Sequence, residues 1–223
     1  MKKTLLLSLM TISFMSQVQA KAFFGRVEKY IIPATGQIIE IASNEIEDDG
    51  QTAEFYDYRD GKRKNIDMST VSKSTREEIA GVKAGEAILV TTQAGNDKTK
   101  TVSRYCAVFY VFENKQAFVG CNTTVEADRI PGYALPTRMD FIVNNVENVI
   151  AQVEEHDGVK KGDIMELRIN TANAKAGRNM RVLAVFANGE VLVEKAGLGF
   201  LDTNSIVYRG GVDRVTTSDL SKL

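Results

Sequence analysis

The residues of this chain that could do chemistry are few: two cysteines, one histidine, one acidic run and one basic cluster. Cys106 and Cys121 show no C-x-x-C spacing, so they point to a structural disulfide rather than thiol catalysis. They flank Glu113-Asn114-Lys115, on the two arms of one expected hairpin. A tip centred on Glu113-Asn114 sets them directly opposite; one centred on Asn114-Lys115 sets them diagonal on the same face. Closing such a loop contributes about 3 kcal/mol by loop-closure entropy. His156 stands in Glu154-Glu155-His156-Asp157. One histidine excludes a multi-histidine zinc site within the chain and restricts any Ser-His-Asp triad to that residue. At a segment boundary among acids it is expected as a solvated linker residue.

Glu45-Ile46-Glu47-Asp48-Asp49-Gly50 offers oxygen ligands for a hard cation but lacks the alternating D-x-D-x-D-G order. It reads as a charged turn before a strand. Arg59, Lys62, Arg63 and Lys64 form a basic cluster, and Tyr56 and Tyr58 beside it could stack on a ligand. The competing expectation is a solvated turn with Tyr58 in the core. No glycine-rich phosphate loop, nucleophile elbow or paired-carboxylate motif is present. No catalytic, cofactor-binding or metal-ligating residue is assigned, and no cofactor is expected.

Self-similarity organises the elements around these residues. Gly36-Gln37-Ile38-Ile39-Glu40-Ile41 returns as Gly85-Glu86-Ala87-Ile88-Leu89-Val90 and as Gly162-Asp163-Ile164-Met165-Glu166-Leu167. An aromatic strand then runs into Asp60-Gly61, Asn114-Lys115 and Asn188-Gly189. Asp-Gly and Asn-Gly between alternating apolar segments predict two-residue type I′ hairpins. Aligning the turns brings Tyr58, Phe112 and Phe186 into one column, expected in the core. Phe55, Phe109 and Leu183 share another, and Lys64, Phe118 and Leu192 a third. Strict alternation puts Tyr56, Tyr110 and Ala184 on the face of the first column, while Phe55, Phe109 and Leu183 point the other way. Tyrosine in two copies and a small residue in the third mark Tyr56 and Tyr110 as candidate barrel-mouth positions. Inter-module contact and plain core are the alternatives.

Helices are expected between the copies. Ser74-Thr75-Arg76-Glu77 and Thr137-Arg138-Met139-Asp140 read as capping boxes. Met139, Ile142, Val143, Val146, Val149, Ile150 and Val153 follow a helical period. The implied organisation is a leader over 1–20, then a first β module over 21–73. A second module with the disulfide and a linker helix covers 74–155, and a third covers 156–223. Val185-Phe186-Ala187-Asn188-Gly189-Glu190-Val191 and the ending Val215 to Leu220 resemble small barrels of the Tudor, KOW and Src-homology-3-like kind. The resemblance spans Asp163 to Leu220 and implies a mainly β fold of three tandem small barrels.

Lys2-Lys3, the apolar run Leu5 to Phe14 and Val18-Gln19-Ala20 read as a secretory signal peptide, giving a mature start at Lys21 in the periplasm or beyond. With Lys2 and Lys3 removed from 28 basic residues, against 29 acidic ones, the mature chain carries a net charge of about −3. That balance does not suit a phosphate-binding surface, so nucleic acid is not an expected partner. No further apolar run is long enough to span a bilayer as a helix. The expectation is an exported, non-enzymatic binding or scaffolding protein of the bacterial cell envelope. Its partner would be a protein, a peptide or cell-wall material, met through Tyr56, Tyr110, Arg59, Lys62 and Arg63. The alternatives are a periplasmic hydrolase with an unseen site and an outer-membrane-associated structural protein.

Overall fold

A computed structural model describes residues 25–94, 99–122, 138–197 and 211–223; the leader and Thr137 lie outside them. The chain divides into two compact units, Met1–Ser74 and Thr75–Leu223. Both are mainly β, and no helix among the described residues exceeds three residues.

In the first unit, β1 (Val27–Ile32) pairs antiparallel with β2 (Gln37–Ala42), and β3 (Thr52–Asp57) with β4 (Lys62–Asp67). A 3-10 turn, Met68–Thr70, leads into β5 (Ser72–Thr75), which returns to β1. Tyr30, Ile39, Ile41, Ala53 and Phe55 form its core. The alternation Thr-Ala-Glu-Phe-Tyr-Asp in β3 sends Ala53, Phe55 and Asp57 inward.

The second unit holds β6 (Ala87–Gln93), β7 (Thr101–Phe112), β8 (Ala117–Asn122), β9 (Arg138–Val143) and β10 (Ile150–Val153). There follow β11 (Glu155–His156), β12 (Val159–Lys160), β13 (Ile164–Leu167), β14 (Asn179–Phe186), β15 (Glu190–Lys195), β16 (Val212–Thr216) and β17 (Leu220–Lys222). Neighbouring strands run β10-β6-β7-β8-β9 and β17-β13-β14-β15-β16, with a 3-10 turn before β10 and before β17. β10 joins the two sets: Ile150 and Ala151 pair with β6, Gln152 and Val153 with β14. No ladder among the described residues closes either set into a barrel.

The expected linker helices are absent, and the structure corrects that reading. The residues with the helical period lie in β9, the 3-10 turn Val146–Asn148 and β10, with Val149 between the last two. Ile142, Val143, Val146, Val149, Ile150 and Val153 are all β-branched, which costs χ1 freedom in a helix and suits a pleated strand. Asn145 divides them by accepting the Glu147 N–H at 3.0 Å. Ser74 and Thr75 end β5, and the Thr75 hydroxyl accepts the Glu77 N–H at 3.0 Å, so that box is a local turn. Asp140 of the other box lies within β9.

The hairpin tips fall where the turn residues place them, but their loops are longer than two residues. Lys115 N–H donates to Phe112 O and Gly189 N–H to Phe186 O, both at 2.9 Å. Lys115 and Gly189 sit at φ +68° and +81°, closing three-residue loops with a left-handed last residue. Asp57 and Lys62 close a four-residue loop.

Register shifts at Val108/Tyr110 and Val182/Ala184 are β-bulges, and they overturn strict alternation. Val182 and Val185 enter a core with Met165, Leu167, Met180, Val191, Val193, Val215 and Leu220. Leu183, Ala184 and Phe186 share the opposite face, against Ala87, Leu89 and Leu192. The extra bulge residue turns Leu183 onto the face of Ala184.

Cys106 and Cys121 are direct partners in the β7–β8 register, with Cα atoms 4.0 Å apart and sulfurs at disulfide distance. Both are fully buried.

Candidate functional site

The first unit contains an open groove between β2 and β3. In the second unit, β7 pairs with β8 from Cys106↔Cys121 to Val111↔Ala117. In the first, β2 and β3 share no ladder: beyond the 3-10 turn Ser43–Glu45 one bridge, Ile46↔Ala53, is all that joins their two segments. Beyond that bridge the strands splay around a cavity of about 390 Å3. Gln37 to Glu40 line one lip, Tyr56 to Arg59 the other, and Lys29 adjoins.

Asp57 anchors the second lip. Its carboxylate is 2 % exposed, yet it accepts the Arg59 backbone N–H at 3.0 Å, Arg59 Nε at 3.1 Å and Nη2 at 2.9 Å. Lys64 Nζ donates to it at 2.8 Å. The Arg59 bonds first, then Lys64, hold the Asp57 carboxyl far below the usual carboxylate range. The same bonds raise both cations above their ordinary values. Arg59 Nη2 also meets Gln37 Oε1, so the guanidinium ties the two lips together.

Of the residues singled out from sequence, Tyr56, Tyr58 and Arg59 meet at this groove. Tyr58 is 78 % exposed, against its expected place in the core. It meets the half-exposed Tyr56 edge to face, ring centroids 5.0 Å apart. Lys62 is exposed on the neighbouring strand. Arg63 is turned to Glu54 at 2.6 Å and Glu45 at 3.5 Å, so much of the basic cluster is neutralised at home. Tyr110 lies elsewhere, half-buried in the second unit and stacked on Phe118 at 6.3 Å.

The acidic run makes local bonds. Glu45 Oε2 accepts the Ala42 N–H at 3.1 Å, and Asp49 Oδ1 the Gln51 N–H at 2.8 Å. His156 sits in the β11–β12 hairpin, whose turn Asp157-Gly158 has φ +49° and +77°. Its ring packs over the turn glycine Gly189. Sequence reasoning passed over Asp57, Lys29, Gln37 and Glu40. For Asp57 a signal existed: an aspartate in phase with Ala53 and Phe55 on a strand is an inward acid that needs partners.

Comparison with protein-family models, curated proteins and solved structures finds no match to this chain. Among the described residues no helix is long and apolar enough to cross a membrane.

Proposed function

We propose that this is an exported, non-enzymatic binding or scaffolding protein of the bacterial cell envelope, built from three tandem small β modules. The observation that carries the binding reading is the groove of the first unit. Two tyrosines stand exposed there at a polar mouth whose geometry Asp57 fixes, although burial of aromatic rings is the usual source of stability.

The modular part rests on recurring backbone bonds. Gly85 N–H reaches Val108 O and Gly162 N–H reaches Val182 O, both at 2.8 Å. Val108 N–H donates to Glu86 O and Val182 N–H to Asp163 O at 2.9 Å; Ser43 N–H donates to Arg26 O at 3.0 Å in the first unit. On this pattern Gly25, rather than Gly36, is the counterpart of Gly85 and Gly162. Strand order and the 3-10 turn before the last strand support the small-barrel relationship at the level of architecture. Function does not follow from that architecture.

Export rests on the leader and the cysteine pair, which suit an oxidising compartment. Cell fractionation with mass spectrometry of the mature N-terminus tests it, with Lys21 as the expected first residue. For binding, wild type and a Tyr56→Ala/Tyr58→Ala variant are compared in capture from envelope extract. Selective loss by the variant is expected; equal capture by both refutes the groove as the binding surface.

A further inference from the structure

We propose that the groove is a strand-addition site: an extended peptide pairs its backbone with the open edge of β2 and sets a carboxylate side chain against Arg59. This rests on the binding reading above and names the partner class for the same site.

The open edge follows from ladder parity. Ser43 N–H bonds Arg26 O and continues the β1–β2 register, so Gln37, Ile39 and Ile41 bond to β1. The backbone groups of Ile38 and Glu40 therefore point away from β1, toward the groove. The outward N–H of Ala42 is already taken by Glu45, so the free edge is confined to the groove's length. Across it, Thr52 O accepts from Glu47 N–H at 2.9 Å, and the same alternation turns Glu54 and Tyr56 outward. Backbone groups on an open edge need water or another strand, and an extended chain satisfies them with main-chain bonds of its own.

Charge narrows the partner. Arg59 and Asp57 form a pair that shows only its cation: the arginine side chain is 64 % exposed and the aspartate 2 %. Nε and Nη2 are engaged, while Nη1 meets no acceptor among the described residues. The exposed Lys62 adds to the positive field at that lip. A carboxylate on the incoming strand would find a charge-assisted donor already held in place. Tyr56 and Tyr58 wall the site for an apolar side chain two residues along, on the same face of the strand.

The test selects heptapeptides from a displayed random library on the full mature chain. A selected peptide is resynthesised and titrated by fluorescence polarisation. N-methylation at alternate peptide residues should each weaken binding about tenfold or more, a lost backbone bond plus a methyl clash, with little effect in between. Exchange of the Ile38 and Glu40 amides should slow on binding. Amidating the peptide's acid should weaken binding to wild type but not to Arg59→Gln. Circular dichroism and thermal unfolding check that Arg59→Gln and Tyr56→Ala remain folded. Binding that Tyr56→Ala abolishes but N-methylation leaves intact overturns strand addition while the groove reading stands. Peptides indifferent to Tyr56→Ala and Tyr58→Ala overturn both. A selection yielding no peptide, or binding only to peptide-free glycan strands, overturns the strand-addition proposal.

Discussion

Phe186→Ala tests how the second unit is held together. The ring is fully buried, but its partners are Ala87, Leu89, Leu183, Ala184 and Leu192, with Tyr105 and Ile150 alongside. They bring together β6, β7, β10, β14 and β15, so the ring fills the seam where the two strand sets meet. Its backbone also pairs with Gln152 of β10. Truncating a buried phenylalanine removes its transfer free energy and leaves a cavity, about 3–5 kcal/mol in all. A domain of ordinary stability has only about 5–15 kcal/mol to lose. Urea unfolding followed by far-ultraviolet circular dichroism measures the loss, since the chain has no tryptophan. Because the cavity opens at the seam, amide exchange should accelerate first at Gln152 and Val153. The core behind, around Val191 and Val193, should keep its protection longer. A loss below about 1 kcal/mol would refute the burial argument, and uniform acceleration throughout the unit would refute the seam.

Other expectations follow from the same geometry. Replacing Cys106 and Cys121 by alanine, or reducing them, should cost about 3 kcal/mol by loop closure, read as a lower melting temperature; two free thiols in the native protein would overturn the pairing. Gly189→Ala should cost about 1–2 kcal/mol for a side chain at φ +81°, and more because its Cβ would come 3.0 Å from His156 Nε2. Gly85→Ala at φ +91° meets open space and should show the strain alone, so equal losses would refute the His156 contact. Asp57 has a depressed carboxyl pKa when folded, so its contribution is fully present above the unfolded value of about 4 and is lost progressively as pH falls below it. Asp57→Asn should therefore lower stability at neutral pH and flatten the acid limb; an unchanged acid limb would refute the role given to its cation partners.

Turn positions and cysteine placement were readable because both are local, whereas the two-residue type I′ turn was not what formed. Asp60-Gly61, Asn114-Lys115 and Asn188-Gly189 lie at hairpin tips, and Cys106 faces Cys121 across one of them. Local rules could not see the bulges beside Phe109 and Leu183, because a bulge adds a residue without a distinctive residue type there. They also misread Met139 to Val153, where two short strands around an asparagine turn imitate a helical period. Length decides such cases poorly when most of the apolar residues are β-branched.

Matching hairpins by aromatic type sets Asp60-Gly61 beside Asn188-Gly189, and that pairing hides the groove from the sequence. An aromatic residue before Asp-Gly matches Phe186 before Asn188-Gly189 by type, which puts Tyr58 beside Phe186. The backbone bonds give a different correspondence. Gly50 N–H reaches Glu47 O at 2.8 Å, as Gly189 N–H reaches Phe186 O at 2.9 Å, and Ile46↔Ala53 stands where Val185↔Val191 does. Glu47 thus takes the place of Phe186, and Glu54 that of Leu192. A search for matching apolar columns cannot find this, because glutamate replaces the apolar residue where the face is left to water. Phe186 and Leu192 are buried against the neighbouring strands, whereas Glu47 is exposed and Glu54 bonds Arg63 at a half-exposed site. A polar face with a turned-out β2–β3 seam leaves Tyr56 and Tyr58 no core to enter. Their exposure is therefore a property of how the first unit's sheet opens, and the ligand reading depends on that opening rather than on aromatic type alone.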